Sequence, residues 1–188
     1  MSGVRIYLPV TLPGLATAGV GGAVAPSQVE VAPAGSRACA VTPALREWYR
    51  EGDIEELEYA ALTRAAIESL RLLAAAGTAP AAGAPAGALA DGASAPRRVV
   101  LAADVPDNAV VLDPDADPAA VLVMDAVLLD QVISAHVDDP SAAADVAAAA
   151  QLIEAADDGD DDAQFAIDGL GDHELQWYAV QEIPFLLQ

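Results

Sequence analysis

Lysine is absent from this sequence, and all eight of its basic residues are arginines that fall within the first hundred positions. Nine acidic residues share that stretch, whereas residues 101–188 carry twenty acids and neither Lys nor Arg. The formal net charge of −21 is therefore almost wholly a property of the second half. A field of that sign repels phosphate backbones and anionic lipid surfaces, which argues against nucleic acid and membrane and favours an unknown protein partner with a basic surface. The plainer account is compositional: an acidic, alanine-rich chain stays soluble, whatever it binds.

Cysteine is almost missing too. Cys39 stands alone, which excludes an internal disulfide and suits a cytoplasmic protein. No apolar run reaches the roughly 18 residues of a membrane span, and the start MSGVRIYLPVTLPG lacks the apolar core and cleavage site of a signal peptide. There is no HExxH, CxxC, GxSxG or Walker lysine, and the glycines at 19–22 stand without a GxGxxG pattern, so no cofactor is expected. Residues 157–168 share only acidity with a calcium loop, because Asp162 stands where the turn glycine belongs.

What is present is one strong helix. Asp53 followed by Glu56 has capping-box spacing, and Tyr59, Leu62, Ala66, Leu70 and Leu73 recur at steps of three and four up to the stop at Gly77. Thr42-Pro43 opens a shorter helix, ALREWYR. Strands are predicted at Arg5–Val10, Arg97–Asp104, Val132–Val137 and Glu174–Val180, with minor ones at 110–112 and 121–123 flanking the turn DPDADP. Asp139-Pro140 starts an alanine-rich helix that runs to Ala156. Residues 14–40 read mostly as loop, and the Ala/Gly/Pro-rich run at 78–96 reads as a disordered insertion within a single domain spanning 1–188. The order strand, helix, strand, strand, helix, strand predicts an α+β fold. It is the order of a ferredoxin-like βαββαβ sandwich, with two main helices on one face of an antiparallel sheet, plus insertions. The other face needs a cover, which either the inserted segments or a homodimer would supply.

The phrases VTPALREWY, EELEYAA, AADVPD, HVDD, DDAQFA and HELQWYA-QE together resemble an uncharacterised family of actinobacterial proteins, a domain of unknown function. The likeness runs from Arg5 to about Leu187, apart from the Ala/Gly/Pro-rich run and much of 14–40. It implies a bacterial cytosolic protein and carries over no activity or site residue.

Two residue sets compete for a functional role. His136 and Asp138 share one side of a strand, and His173 and Glu174 precede another, so convergence of the two strand ends would give a small metal-dependent or acid/base enzyme. Against it stand His136 as a packed strand residue and the lack of a spaced third ligand. The other set belongs to a non-enzymatic interaction module. Arg46, Trp48 and Tyr49 on the short helix, with Trp177 and Tyr178 on the last strand, are common interface anchors. Asp157, Asp158, Asp160, Asp161 and Asp162 give the acidic half a face for a basic partner. The plainer expectation for Trp48 and Trp177 is that both are large fillers in an alanine-rich core. The interaction module is the leading reading.

Overall fold

Strand β1 (Gly3–Val10) is the middle of the sheet, and its alternation sends Ile6, Leu8 and Val10 to one face and Arg5 and Tyr7 to the other. The computed structural model describes residues 3–50, 52–77, 95–113 and 116–188. The insertion expected at 78–96 lies outside the described residues apart from its last two positions, and two residues of the DPDADP turn lie outside them as well.

After β1 come α1 (Leu12–Thr17), β2 (Glu30–Ala32), β3 (Arg37–Ala40), α2 (Pro43–Trp48) and α3 (Ile54–Ala75). Next are β4 (Val99–Pro106), β5 (Val110–Leu112), β6 (Ala120–Val123), β7 (Val127–Leu128) and β8 (Val132–Val137). The chain closes with α4 (Ala143–Asp157), α5 (Asp161–Asp168), β9 (Gln176–Ala179) and α6 (Ile183–Leu186). Among the described residues no helix is long and apolar enough to cross a membrane.

The fold is a mixed α/β structure with a seven-stranded sheet in the order β5-β6-β3-β1-β4-β8-β9, and every neighbouring pair is antiparallel. That order departs from the ferredoxin-like sandwich expected from the sequence. There, the strand after the first helix runs parallel to β1 with another strand between them. Here β4 is the direct antiparallel neighbour of β1, from Gly3 against Pro106 to Val10 against Val99. The cause is β3, read as loop, which adds one traverse before α3. A split βαβ unit is present, but β3, α3 and β4 make it, with β1 between the two strands. Helix α5 adds a second traverse after α4, and β9 therefore returns antiparallel beside β8.

Helix α3 forms as its local chemistry directs. The Asp53 carboxylate accepts the Glu56 backbone N–H at 2.9 Å, and the Glu56 carboxylate accepts the Asp53 N–H at 3.1 Å. Its inner face is built from Leu57, Ala60, Ala61, Ala65 and Ala66, so it sits low over Tyr7, Cys39, Val100 and Ala102. Further along, Leu70 and Leu73 meet Val146, Ala150 and Ile153 of α4 and Ile167 of α5. Each fully buried leucine of this kind contributes roughly 1.5–3 kcal/mol of apolar transfer. Helix α4 therefore packs on α3 and α5 in a second tier, not directly on the sheet as expected.

The opposite sheet face is covered by the chain itself. Ile6, Leu8, Leu101, Ala103 and Val137 are buried beneath Leu12 and Leu15 of α1, Val29, the β2–β7 pair and Ile183 of α6. The loop after α1 and the C-terminal turn meet at Gly21, whose φ is +82° and where a β-carbon would lie 2.9 Å from Pro184. Gly21→Ala is expected to cost about 1–3 kcal/mol, since it adds a left-handed alanine to a steric overlap. Urea denaturation measures this directly, and an unchanged midpoint would show that the contact does not constrain the fold.

The two tryptophans take no part in closing the core. Trp48 is 70% exposed and Trp177 61% exposed, so neither is the core filler expected. Alanine and valine on α3 and β4 let helix and sheet approach closely, which leaves no volume for a tryptophan.

Candidate functional site

The inner alanines of α3 seat it over β3, β1 and β4, and strands β8 and β9 extend beyond it. At positions 55, 58, 59 and 62 the helix turns one side toward that uncovered sheet, because residues three and four apart share a side. Glu55, Glu58, Tyr59 and Leu62 thus form one wall of a groove of about 440 Å³. The sheet forms its floor with Arg5 and Tyr7 of β1, Ala102 of β4, Ser134 and His136 of β8, and Trp177 of β9. Cross-strand register explains this alignment, since Val100 faces His136 and His136 faces Trp177. The register between β4 and β8 then shifts, with Ala102 opposite Ser134 but Ala103 opposite Val132. Ile133 is the extra residue of that bulge, and it joins Ser134 in lining the groove.

The titratable groups have distinct settings. Arg5 is held across the strands by Asp104, with Nε 3.0 Å from Oδ1 and Nη2 3.3 Å from Oδ2. Burial, reinforced by the neighbouring Glu58 carboxylate, pushes the Tyr7 hydroxyl up to about 12, so it stays protonated. His136 lies 3.3 Å from the Ser134 hydroxyl through Nε2, and burial lowers its pKa from the ordinary 6.5. Among the described residues no acid orients the other ring nitrogen, so the pair lacks the third member of a nucleophilic relay. Cys39 is buried and its thiol is pushed up to about 12 by desolvation, which makes it a packing residue and not a nucleophile.

His136 sets an acid-side limit on stability. Its folded pKa is depressed, so the stability linked to its neutral form is complete above pH 6.5 and is lost as pH falls from there through the folded value. His136→Gln is expected to flatten the stability curve below pH 6.5. Parallel urea titrations of the two proteins measure it; identical slopes would show that His136 titrates normally.

A second groove lies on the other side of Tyr59, lined by Tyr49, Arg50, Gly52, Glu56, Thr63 and Arg64. Tyr59 is common to both grooves. It was expected inside the buried stripe of α3, but it stands at the stripe's edge and is 59% exposed. Trp48 and Arg46, both exposed, end the short helix that leads to this second groove.

The four residues proposed for an enzyme do not share one cavity. The Asp138 side chain is fully buried and locked to Arg98, with contacts of 2.7 and 2.9 Å. Arg98 Nη2 also donates to the carbonyls of Leu170 and His173, so the His173 backbone does approach Asp138. The His173 ring instead meets Asp145 at 2.8 Å, while His136 faces the groove and Glu174 is exposed. Among the described residues no group of three or more His, Cys, Asp or Glu could hold a metal ion.

The acidic stretch is largely engaged in local structure. Asp157 takes Arg71 at 2.6 Å, Asp158 follows the last turn of α4, and Asp160 caps α5 by accepting the Ala163 N–H. Asp161 and Asp162 occupy the first turn of α5, where the helix dipole favours them. This segment is thus two helix ends around Gly159. Sequence reasoning missed Tyr7, Glu55, Glu58, Ile133 and Ser134 as site residues. The available signal was the 55-58-59-62 spacing of two acids with an aromatic and a leucine.

A family model described as a family of unknown function (DUF6912) matches residues 4–187. No curated protein and no solved structure matches the chain.

Proposed function

We propose, starting from a chain that belongs to the DUF6912 family and inherits no activity from it, that the protein is a non-enzymatic module binding a basic segment of another polypeptide. One observation carries this reading. The chain has only eight aromatic residues, and six of them, Trp48, Tyr49, Tyr59, Phe165, Trp177 and Phe185, are exposed. A core made of alanine, valine and leucine does not need them, and exposed Trp and Tyr are the residues that dominate interface energies. Trp48, Tyr49, Tyr59 and Trp177 lie in or next to the two grooves that flank the start of α3.

The acidity has a different part in this reading. The carboxylates at 157–162 serve helix ends and Arg71, and their summed field draws a basic partner toward the molecule. Contact is made at the aromatic grooves. A cytoplasmic setting belongs to the same proposal, since Cys39 is a buried free thiol.

Paired baits test it. Wild type and Tyr59→Ala/Trp177→Ala are used to capture partners at matched salt. Partners held by wild type and lost from the double variant support the aromatic surface. Partners held equally by both, yet lost when Asp157, Asp158, Asp160, Asp161 and Asp162 are all changed to Asn, would overturn it in favour of the acidic segment. Capture by none of the baits would remove the module reading altogether.

A further inference from the structure

The groove between α3 and the β8–β9 edge has the composition of a site for an organic cation. Its walls bring three aromatic rings, Tyr7, Tyr59 and Trp177, together with the carboxylates of Glu55 and Glu58. Among the described residues neither carboxylate has an ion pair, in contrast to Asp104, Asp117, Asp138 and Asp157, which all hold arginines. Among the described residues Arg5 is the one cation in the lining; it makes two contacts with Asp104 and also lies in the field of Glu58, whose carboxylate takes the Tyr7 hydroxyl. Aromatic faces beside two carboxylates that hold no ion pair attract a cation with an apolar stem. Strand β9 ends the sheet on this side, so the groove is open toward an incoming chain.

We infer that this groove receives a lysine or arginine side chain of the partner polypeptide, with the alkyl stem against Tyr59, Ile133 and Trp177 and the charged head at Glu55 and Glu58. The inference rests on the proposed binding function and names the chemistry of its partner. Charge complementarity selects this occupant: a cationic head is attracted by Glu55 and Glu58, whereas an acidic side chain is repelled by both.

Trp177 is the reporter. In Trp48→Phe it becomes the sole tryptophan, and its fluorescence is titrated with α-acetyl-lysine methylamide and with the uncharged ε-acetylated form of the same compound. The expected result is a saturable change with the charged probe and none with the acetylated one. Glu55→Gln/Glu58→Gln should weaken it about tenfold, whereas Asp161→Asn/Asp162→Asn should leave it unaltered. Circular dichroism confirms that the groove variant keeps its helices. No saturable change, an equal response to the acetylated probe, or an equal loss in the Asp161/Asp162 variant would each overturn the cation site. Partner capture separates this from the broader proposal. A partner retained by the Glu55/Glu58 variant and lost from the Tyr59/Trp177 variant would refute the cation site and leave the aromatic surface standing.

Discussion

Asp138→Ala is expected to cost about 3–5 kcal/mol of folding stability, enough to threaten a domain of ordinary marginal stability. Asp138 accepts three hydrogen bonds from one residue: Arg98 Nε, Arg98 Nη2 and the Arg98 backbone N–H at 2.8 Å. Both side chains are excluded from water, so removing the carboxylate leaves a buried guanidinium with only the carbonyls of Leu170 and His173. The Arg98–Asp138 pair thereby ties the start of β4 to the end of β8 and to the segment entering β9. Arg98→Met/Asp138→Leu should recover most of the loss, because apolar groups of similar volume incur no desolvation penalty. Urea denaturation of the two variants measures both effects. A single-variant loss below about 1 kcal/mol would mean that water reaches the pair and screens it.

Ser69→Ala follows at about 2–6 kcal/mol, although it deletes a single oxygen. The Ser69 hydroxyl donates to the carbonyl of Val10 at 2.8 Å and accepts the backbone N–H of Val99 at 2.9 Å. These residues are the last register pair between β1 and β4. A side chain from the helix above thus satisfies both groups where the ladder ends, in a place with no solvent exposure. Alanine would strand one donor and one acceptor, each at about 1–3 kcal/mol. Equilibrium denaturation gives the total, and hydrogen exchange at the Val99 amide gives the local part. Full protection of that amide in the variant would show that another acceptor replaces the hydroxyl.

The parts legible in the sequence were those governed by neighbours within a few residues. Asp53 with Glu56, Thr42 with Pro43, and Asp139 with Pro140 all cap or open helical turns where their spacing indicated. Strand β3 escaped because Arg37–Ala40 has little strand character of its own; its conformation comes from ladders on both sides, to β1 and β6. Missing it inverted the directions of β4 and β8 relative to the ferredoxin-like expectation, and the extra traverse of α5 then restores that of β9. The same kind of limit applies to the site. Tyr59 fits the apolar repeat of α3, yet only the tight seating of the alanines decides that it falls outside the buried stripe. The groove depends further on an extra residue at Ile133, which no local periodicity announces. Ser69 was hidden for a related reason: a serine within a helix reads as neutral until the strand ends beneath it are known.

The direct pairing of β1 with β4 also shapes how the chain is made. At about 5–20 residues per second, translation needs about 5–20 s to cover the roughly hundred residues that separate the two strands. Throughout that interval Ile6, Leu8 and Val10 are on a finished strand whose longest ladder partner does not yet exist. A sheet centred on its earliest strand therefore folds late, and the nascent chain carries an unpaired apolar edge until Val99–Pro106 has left the ribosome.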